Sequence, residues 1–167
     1  IVPFDEKKHT AATRRLILSQ VGSSFYGVNN AWIYTLFAGY RRREGRNVDT
    51  KYKLIFIAEQ DRKVVGVVGA TPKKGQPIKI MPLVAKSETV FEVLVANLPQ
   101  LLAGYSRKLY VHLIPEPWQI ACLQRHGWTI EGLFPEGYAL DVTVQQWGLR
   151  IKKRDIKKAR NSVRSKP

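Results

Sequence analysis

Arg107–Leu149 reads RKLYVHLIPEPWQIACLQRHGWTIEGLFPEGYALDVTVQQWGL. Lys108–Ile114 is a nearly unbroken apolar run, the pattern of a strand covered on both faces. Pro115 and Pro117 close it, because proline supplies no donor to a ladder. Trp118–His126 has helical spacing, with Trp118, Ala121 and Cys122 on one face. Gly127 follows where a helix end needs the left-handed conformation. Trp128–Phe134 and Val142–Leu149 alternate as strands, joined by a turn at Pro135, Gly137 and Asp141. The stretch is therefore expected to be a strand, a short helix and a closing pair of strands.

The same reading runs upstream. Ile1–Phe4 is expected as a short first strand, and Asp5 as the cap of a helix over Glu6–Val21, with Leu16, Ile17 and Gln20 on its apolar stripe. After a break at Gly22-Ser23-Ser24, a second helix is expected over Asn30–Arg43. Its core face is Ile33, Leu36, Phe37 and Tyr40, and Trp32 lies off that stripe. Lys53–Glu59, Lys63–Ala70 and Ile78–Ala85 read as a meander of strands, with Pro82 marking an edge, a bulge or an opening in the ladder. Ser87–Tyr105 is ambiguous, since Val90–Ala96 also reads as a strand. A helix is preferred, with Thr89 and Glu92 as a capping box and a kink or restart at Asn97–Pro99, because a parallel strand pair needs a crossover.

At 167 residues, with 44% hydrophobic residues, the chain is long enough for one domain with a real core. No apolar stretch reaches the length of a membrane span, and the start has no signal-peptide pattern. Ile1 in place of a methionine suggests a piece of a longer or trimmed chain. Cys122 is the single cysteine, so no intrachain disulfide forms, which fits a reducing, cytoplasmic setting. One cysteine and three scattered histidines make no structural zinc set, and no metal is expected.

Net charge is +15. Arg150–Pro167 holds nine Lys/Arg and one Asp, so it carries +8 of that total. Arg41-Arg42-Arg43 and Lys73-Lys74 add to the remainder. A field of this sign attracts nucleic acid, an acidic partner or the phosphates of a cofactor. Two readings of the terminal run stand open. One is a solvated end. The other is an arm using Lys152, Lys153, Arg154, Lys157 and Lys158 on a polyanion.

The segment Leu123-Gln124-Arg125-His126-Gly127-Trp128, followed by Glu131-Gly132 and Tyr138, resembles the C-terminal half of the GNAT superfamily of acyl-CoA-dependent N-acetyltransferases. A weaker likeness extends over Ile1–Leu149. The resemblance implies an α/β fold: a mixed sheet of six or seven strands with helices on both faces, in a domain over 1–149 followed by a basic tail over 150–167. It implies acetyl transfer from acetyl-CoA to an amine, on a small molecule or a protein. It also implies a cofactor turn at Leu83, Val84, Ala85, Lys86, Ser87, Glu88 and Thr89. The family's turn carries Q/R-x-x-G-x-G/A, whereas Ala85–Thr89 has no glycine. The family's tyrosine acid is matched by Leu123 and its asparagine by Glu116. Trp32 and Tyr138 would wall the acceptor site. The alternative function is a non-catalytic module of this fold that docks onto nucleic acid or a larger assembly.

An amine acceptor arrives as an ammonium and must lose a proton. His112 is the leading base, since it lies on the central strand and shares a face with Tyr110. Glu116, at the start of the short helix, is the second candidate, and Glu59 ends an earlier strand. His126 reads as a partner of a helix C-terminus and His9 as a surface residue.

Overall fold

The computed structural model describes residues 1–22, 25, 27–45, 51–73, 75–138 and 140–152. The elements are β1 (Val2–Pro3), α1 (Glu6–Val21), α2 (Asn30–Arg41), a 3-10 turn (Arg42–Gly45), β2 (Leu54–Gln60), β3 (Lys63–Thr71), β4 (Ile78–Ala85), α3 (Glu88–Leu102), β5 (Lys108–Leu113), α4 (Pro117–Arg125), β6 (Thr129–Pro135) and β7 (Thr143–Arg150). The strands form one seven-stranded sheet in the order β1-β2-β3-β4-β5-β7-β6. Among the described strands only the β4–β5 pair is parallel, and α3 makes the crossover that such a pair requires. The expected mixed α/β architecture is the one observed. Among the described residues, no helix is long and apolar enough to cross a membrane.

Strand alternation sends the core to both faces. On one, Leu54, Val68, Ile80, Leu109 and Val111 pack under Phe91, Leu94 and Leu98 of α3 and Cys122 and Leu123 of α4. On the other, Ile55, Ile57, Val67 and Val84 pack under Leu16 and Ile17 of α1 and Ile33, Leu36, Phe37 and Tyr40 of α2. Asp5 caps α1 by accepting from the N–H groups of Lys7 and Lys8.

Several local expectations need correction. Ser87, not Thr89, caps α3: its backbone is extended and Oγ accepts from Val90 N–H at 3.3 Å. The helix also runs unbroken past Asn97–Pro99. Pro99 removes one helical hydrogen bond, yet the buried face of Phe91, Leu94, Val95, Leu98 and Leu102 holds the helix against the sheet. Gln20 and Ala121 are exposed, and α4 buries Cys122 and Leu123 instead. His9 is buried, because its ring is fully used: Nδ1 accepts from Asp5 N–H at 2.8 Å and Nε2 meets Glu59 Oε1 at 3.2 Å. At the far end, β7 takes in Arg150, and buried Ile151 donates its N–H to Arg107 O at 2.8 Å.

Candidate active site

β4 and β5 are zipped only through Ile78↔Leu109, Lys79↔Tyr110 and Ile80↔Val111. Both strands continue beyond that point, β4 to Ala85 and β5 to Leu113. β4 stays on β3 as far as Gly66↔Ala85, so it is β5 that parts company. Pro82 sits just past the last rung and has no N–H to donate. Opposite it, the β3–β4 register shifts between Val68 and Ala70. Gly69 makes that irregularity fit. A Cβ there would lie 2.4 Å from Met81 O and 2.7 Å from Pro82 Cδ. Gly69→Ala is expected to destabilise the fold by about 1–3 kcal/mol, because backbone must move to admit the methyl. Urea unfolding of the two proteins checks this, and equal midpoints would mean that the bulge relaxes without cost.

The parting strands open a narrow pocket. Ile80, Pro82, Leu83, Val111, His112 and Leu113 form its sides, and Phe25 and Trp32 cover it. Its interior of about 20 Å³ has room for roughly one water.

A polar chain runs from this pocket across the sheet. His112 Nδ1 meets Tyr138 Oη at 2.8 Å, and Nε2 meets Gln146 Oε1 at 2.9 Å. Lys79 Nζ donates to the same Tyr138 oxygen at 3.1 Å. Gln146 Nε2 donates to Glu131 Oε2 at 3.3 Å, and Glu131 is paired with Lys108 at 2.7 Å. These contacts assign the protons. A carboxylate accepts only, so Gln146 turns its NH₂ to Glu131 and its carbonyl to His112. His112 Nε2 therefore carries the hydrogen. Nδ1 of the neutral ring is an acceptor and receives the Tyr138 hydroxyl. Burial holds the His112 pKa below its ordinary 6.5; the Gln146 hydrogen bond opposes this and the Lys79 charge adds to it. The ring is thus neutral near pH 7, as the assigned protons require. Gly148 leaves space for the chain, since a Cβ there would fall 2.2 Å from the Glu131 carboxylate.

No family model matches the chain, and no curated protein matches it. Solved structures resemble it over most of its length. An aminoglycoside 6'-acetyltransferase type Ii has 16% identity and a TM-score of 0.69, covering 91% of this chain and 97% of its own. A GNAT-family protein from Desulfovibrio desulfuricans has 11% identity and a TM-score of 0.67, covering 90% and 97%. A ribosomal L7/L12 α-N-protein acetyltransferase in complex with coenzyme A has 16% identity and a TM-score of 0.65, covering 93% of each chain. The chain has the GNAT fold.

Within that GNAT fold, three residues singled out in the sequence come together. His112 and Trp32 line one pocket, and Tyr138 bonds His112 while its ring lies 5.4 Å from that of Phe25. Glu116 is apart from them, exposed as the N-cap of α4, where Gln119 Oε1 accepts from its N–H at 2.8 Å. Glu59 is occupied by Lys8 and His9. Leu123, which the resemblance matches to the family's tyrosine, is completely buried and holds no proton to give. Lys152 is exposed after β7, and Lys153, Arg154, Lys157 and Lys158 lie outside the described residues. Away from the cleft, Glu92, Cys122 and His126 gather within 4.8 Å. There Glu92 is bonded by His126 and Arg125, and burial raises the Cys122 thiol pKa.

The turn expected to meet a cofactor is tight. β4 ends at Ala85 and α3 begins at Glu88. Lys86 N–H is committed to Val65 O at 2.8 Å, and Val90 N–H to the Ser87 cap. That leaves the first-turn amides of Glu88 and Thr89, the exposed Lys86 side chain and nearby hydroxyls for an anion, with the Glu88 carboxylate opposing it. Above Ile80 the β4 backbone has no ladder partner on its β5 side, so an extended arm with amide groups fits there. Lys79 and Gln146 escaped the sequence reading, and Glu131 entered it only as part of the family motif. Their roles depend on which strands are neighbours, which no local pattern encodes.

Proposed function

We propose that the protein transfers an acetyl group from acetyl-CoA to an amine, on a small molecule or a protein. The observation that carries this reading is the opening of β4 from β5 with neutral His112 on its wall. Support also comes from the structural neighbours, whose names make them acetyltransferases of aminoglycosides and ribosomal proteins. Acetyl-CoA, when bound, supplies an acetyl group activated as a thioester. Leu83, Val84 and Ala85 would hold its pantetheine arm through the backbone. Lys86, Ser87 and Thr89 would meet its phosphates.

The chain's own residues then deal with the acceptor's proton. Tyr138 Oη takes a proton from the acceptor ammonium as it passes its own to His112 Nδ1. The nitrogen lone pair is released to attack the thioester carbonyl, and His112 becomes an imidazolium held by Gln146. Lys79, hydrogen-bonded to the same phenolic oxygen, stabilises charge that builds there. With Leu123 in the tyrosine position, the departing thiolate takes its proton from solvent.

Calorimetric titration with CoA tests the reading. Binding to the wild type is expected, and Lys86→Glu should weaken it about three- to tenfold by setting an opposing charge at the helix end. If the wild type binds no CoA at millimolar ligand, the proposal fails.

A further inference from the structure

A second cluster of charge lies beside the proposed proton path. Lys53 and Lys79 flank Thr71 on one face of the sheet: Lys53 Nζ donates to Thr71 Oγ1 at 2.6 Å, and Thr71 is the ladder partner of Lys79. Lys79 in turn reaches Tyr138. Lys53 is half-buried, and its N–H is fixed by Gly39 O at 2.9 Å. Gly39 sits inside α2, where glycine weakens a helix. The lysine explains its presence, because a Cβ at that position would fall 2.5 Å from Lys53 Cγ.

The charges that act most on Lys53 are of one sign. Burial lowers its pKa, and the charges of Lys79, Lys73, Lys51 and Arg42 lower it further. The ion pairs among the described residues use Lys8, His9, Arg41, Arg43, Lys108, Arg125 and His126, and none of these five cations. A half-buried ammonium among like charges is costly unless an anion arrives. The phosphates of CoA do not account for it. They would belong at Lys86, and a strand from Lys79 to Lys86 spans roughly 20 Å.

We propose that the amine acceptor carries an acidic group, carboxylate or phosphate, which seats between Lys53 and Lys79 while its amine lies at Tyr138 and His112. The proposal rests on the acetyl-transfer reading above and names the class of acceptor.

The folded-state pKa of Lys53 is depressed. Stability therefore rises with pH between that lowered value and the ordinary 10.5, where the unfolded chain alone keeps the proton. Lys53→Met removes the penalty present below that window, so its melting temperature near pH 7 should equal or exceed that of the wild type.

Three measurements on wild type, Lys53→Met and Lys53→Gln make the test. First, melting is followed with inorganic phosphate and with chloride at equal ionic strength. Phosphate is expected to raise the wild-type melting temperature above its chloride value and to leave both variants unmoved. Second, CoA binding by calorimetry should be the same in all three. Third, release of CoA thiol is followed with acetyl-CoA and length-matched primary amines ending in carboxylate, phosphate or methyl. An acidic end is expected to raise kcat/KM at least about tenfold over methyl, a gain of one decade or about 1.4 kcal/mol, and Lys53→Met should abolish the gain. The better of the two acidic ends identifies the group. Equal phosphate responses in wild type and variants, or no preference for acidic amines, would overturn the acidic seat while CoA binding still stands. Absence of CoA binding by the wild type would overturn acetyl transfer, and the acceptor assignment with it.

Discussion

In His112→Gln, kcat should fall by about 10²–10⁴, the usual worth of a positioned acid–base group. Glutamine still fills part of the site and makes hydrogen bonds, but it cannot hold the proton that Tyr138 passes on. CoA binding should be unchanged, which separates a chemical defect from a folding one. Wild-type kcat/KM should fall on the acid side, as His112 protonates below the ordinary 6.5 and Nδ1 ceases to accept. The variant should lose that limb. Stability has a matching sign: with a depressed folded-state pKa, the His112 contribution is complete above 6.5 and is lost as pH drops toward the folded value. Wild-type turnover in the variant would remove His112 from the proton path.

The largest structural effect is expected at Trp128. Its side chain is 2% exposed and lies in the core that holds Cys122, Leu123 and Trp147. Truncation to alanine should cost about 3–5 kcal/mol. The indole Nε1 has no hydrogen-bond partner among the described residues. Trp128→Phe should therefore cost much less, because it keeps most of the apolar bulk and removes a donor that is buried unsatisfied. Denaturant midpoints with unchanged slopes would measure both. A shift near zero in Trp128→Ala would show that this core layer carries little of the stability.

Much of the fold was readable where the cause is local. The helix Glu6–Val21, with Asp5 as its cap, and the strand Ile78–Ala85 stand where capping and apolar runs put them. Pro82, read as an edge, a bulge or an opening in the ladder, lies just past the last β4–β5 rung and opposite the β3 irregularity. The misreadings have tertiary causes. Thr89 and Glu92 have the spacing of a capping box, but Glu92 is drawn away to His126 and Arg125, and Ser87 caps the helix. Pro99 does not break α3, because packing outweighs one missing hydrogen bond. Of the residues that gather at the cleft, His112 draws notice by residue type and its place on the central strand, while Tyr138 and Trp32 entered through the family resemblance. The roles of Gln146 and Glu131 are not visible locally, since only the pairing of β7 with β5 on one side and β6 on the other aligns them with His112.

The three-rung seam between β4 and β5 also has a mechanical meaning. Ile78–Ile80 with Leu109–Val111 is a fulcrum, and Pro82–Ala85 and His112–Leu113 are the two lever arms. A wedge between the arms works against three rungs and the packing beneath them, rather than against a full ladder. Cleft width is then set at the seam rather than at the open ends of the strands. Substitutions at Ile78, Ile80, Leu109 or Val111, all buried on the face away from α1 and α2, would adjust the jaw while leaving every residue of the polar chain in place.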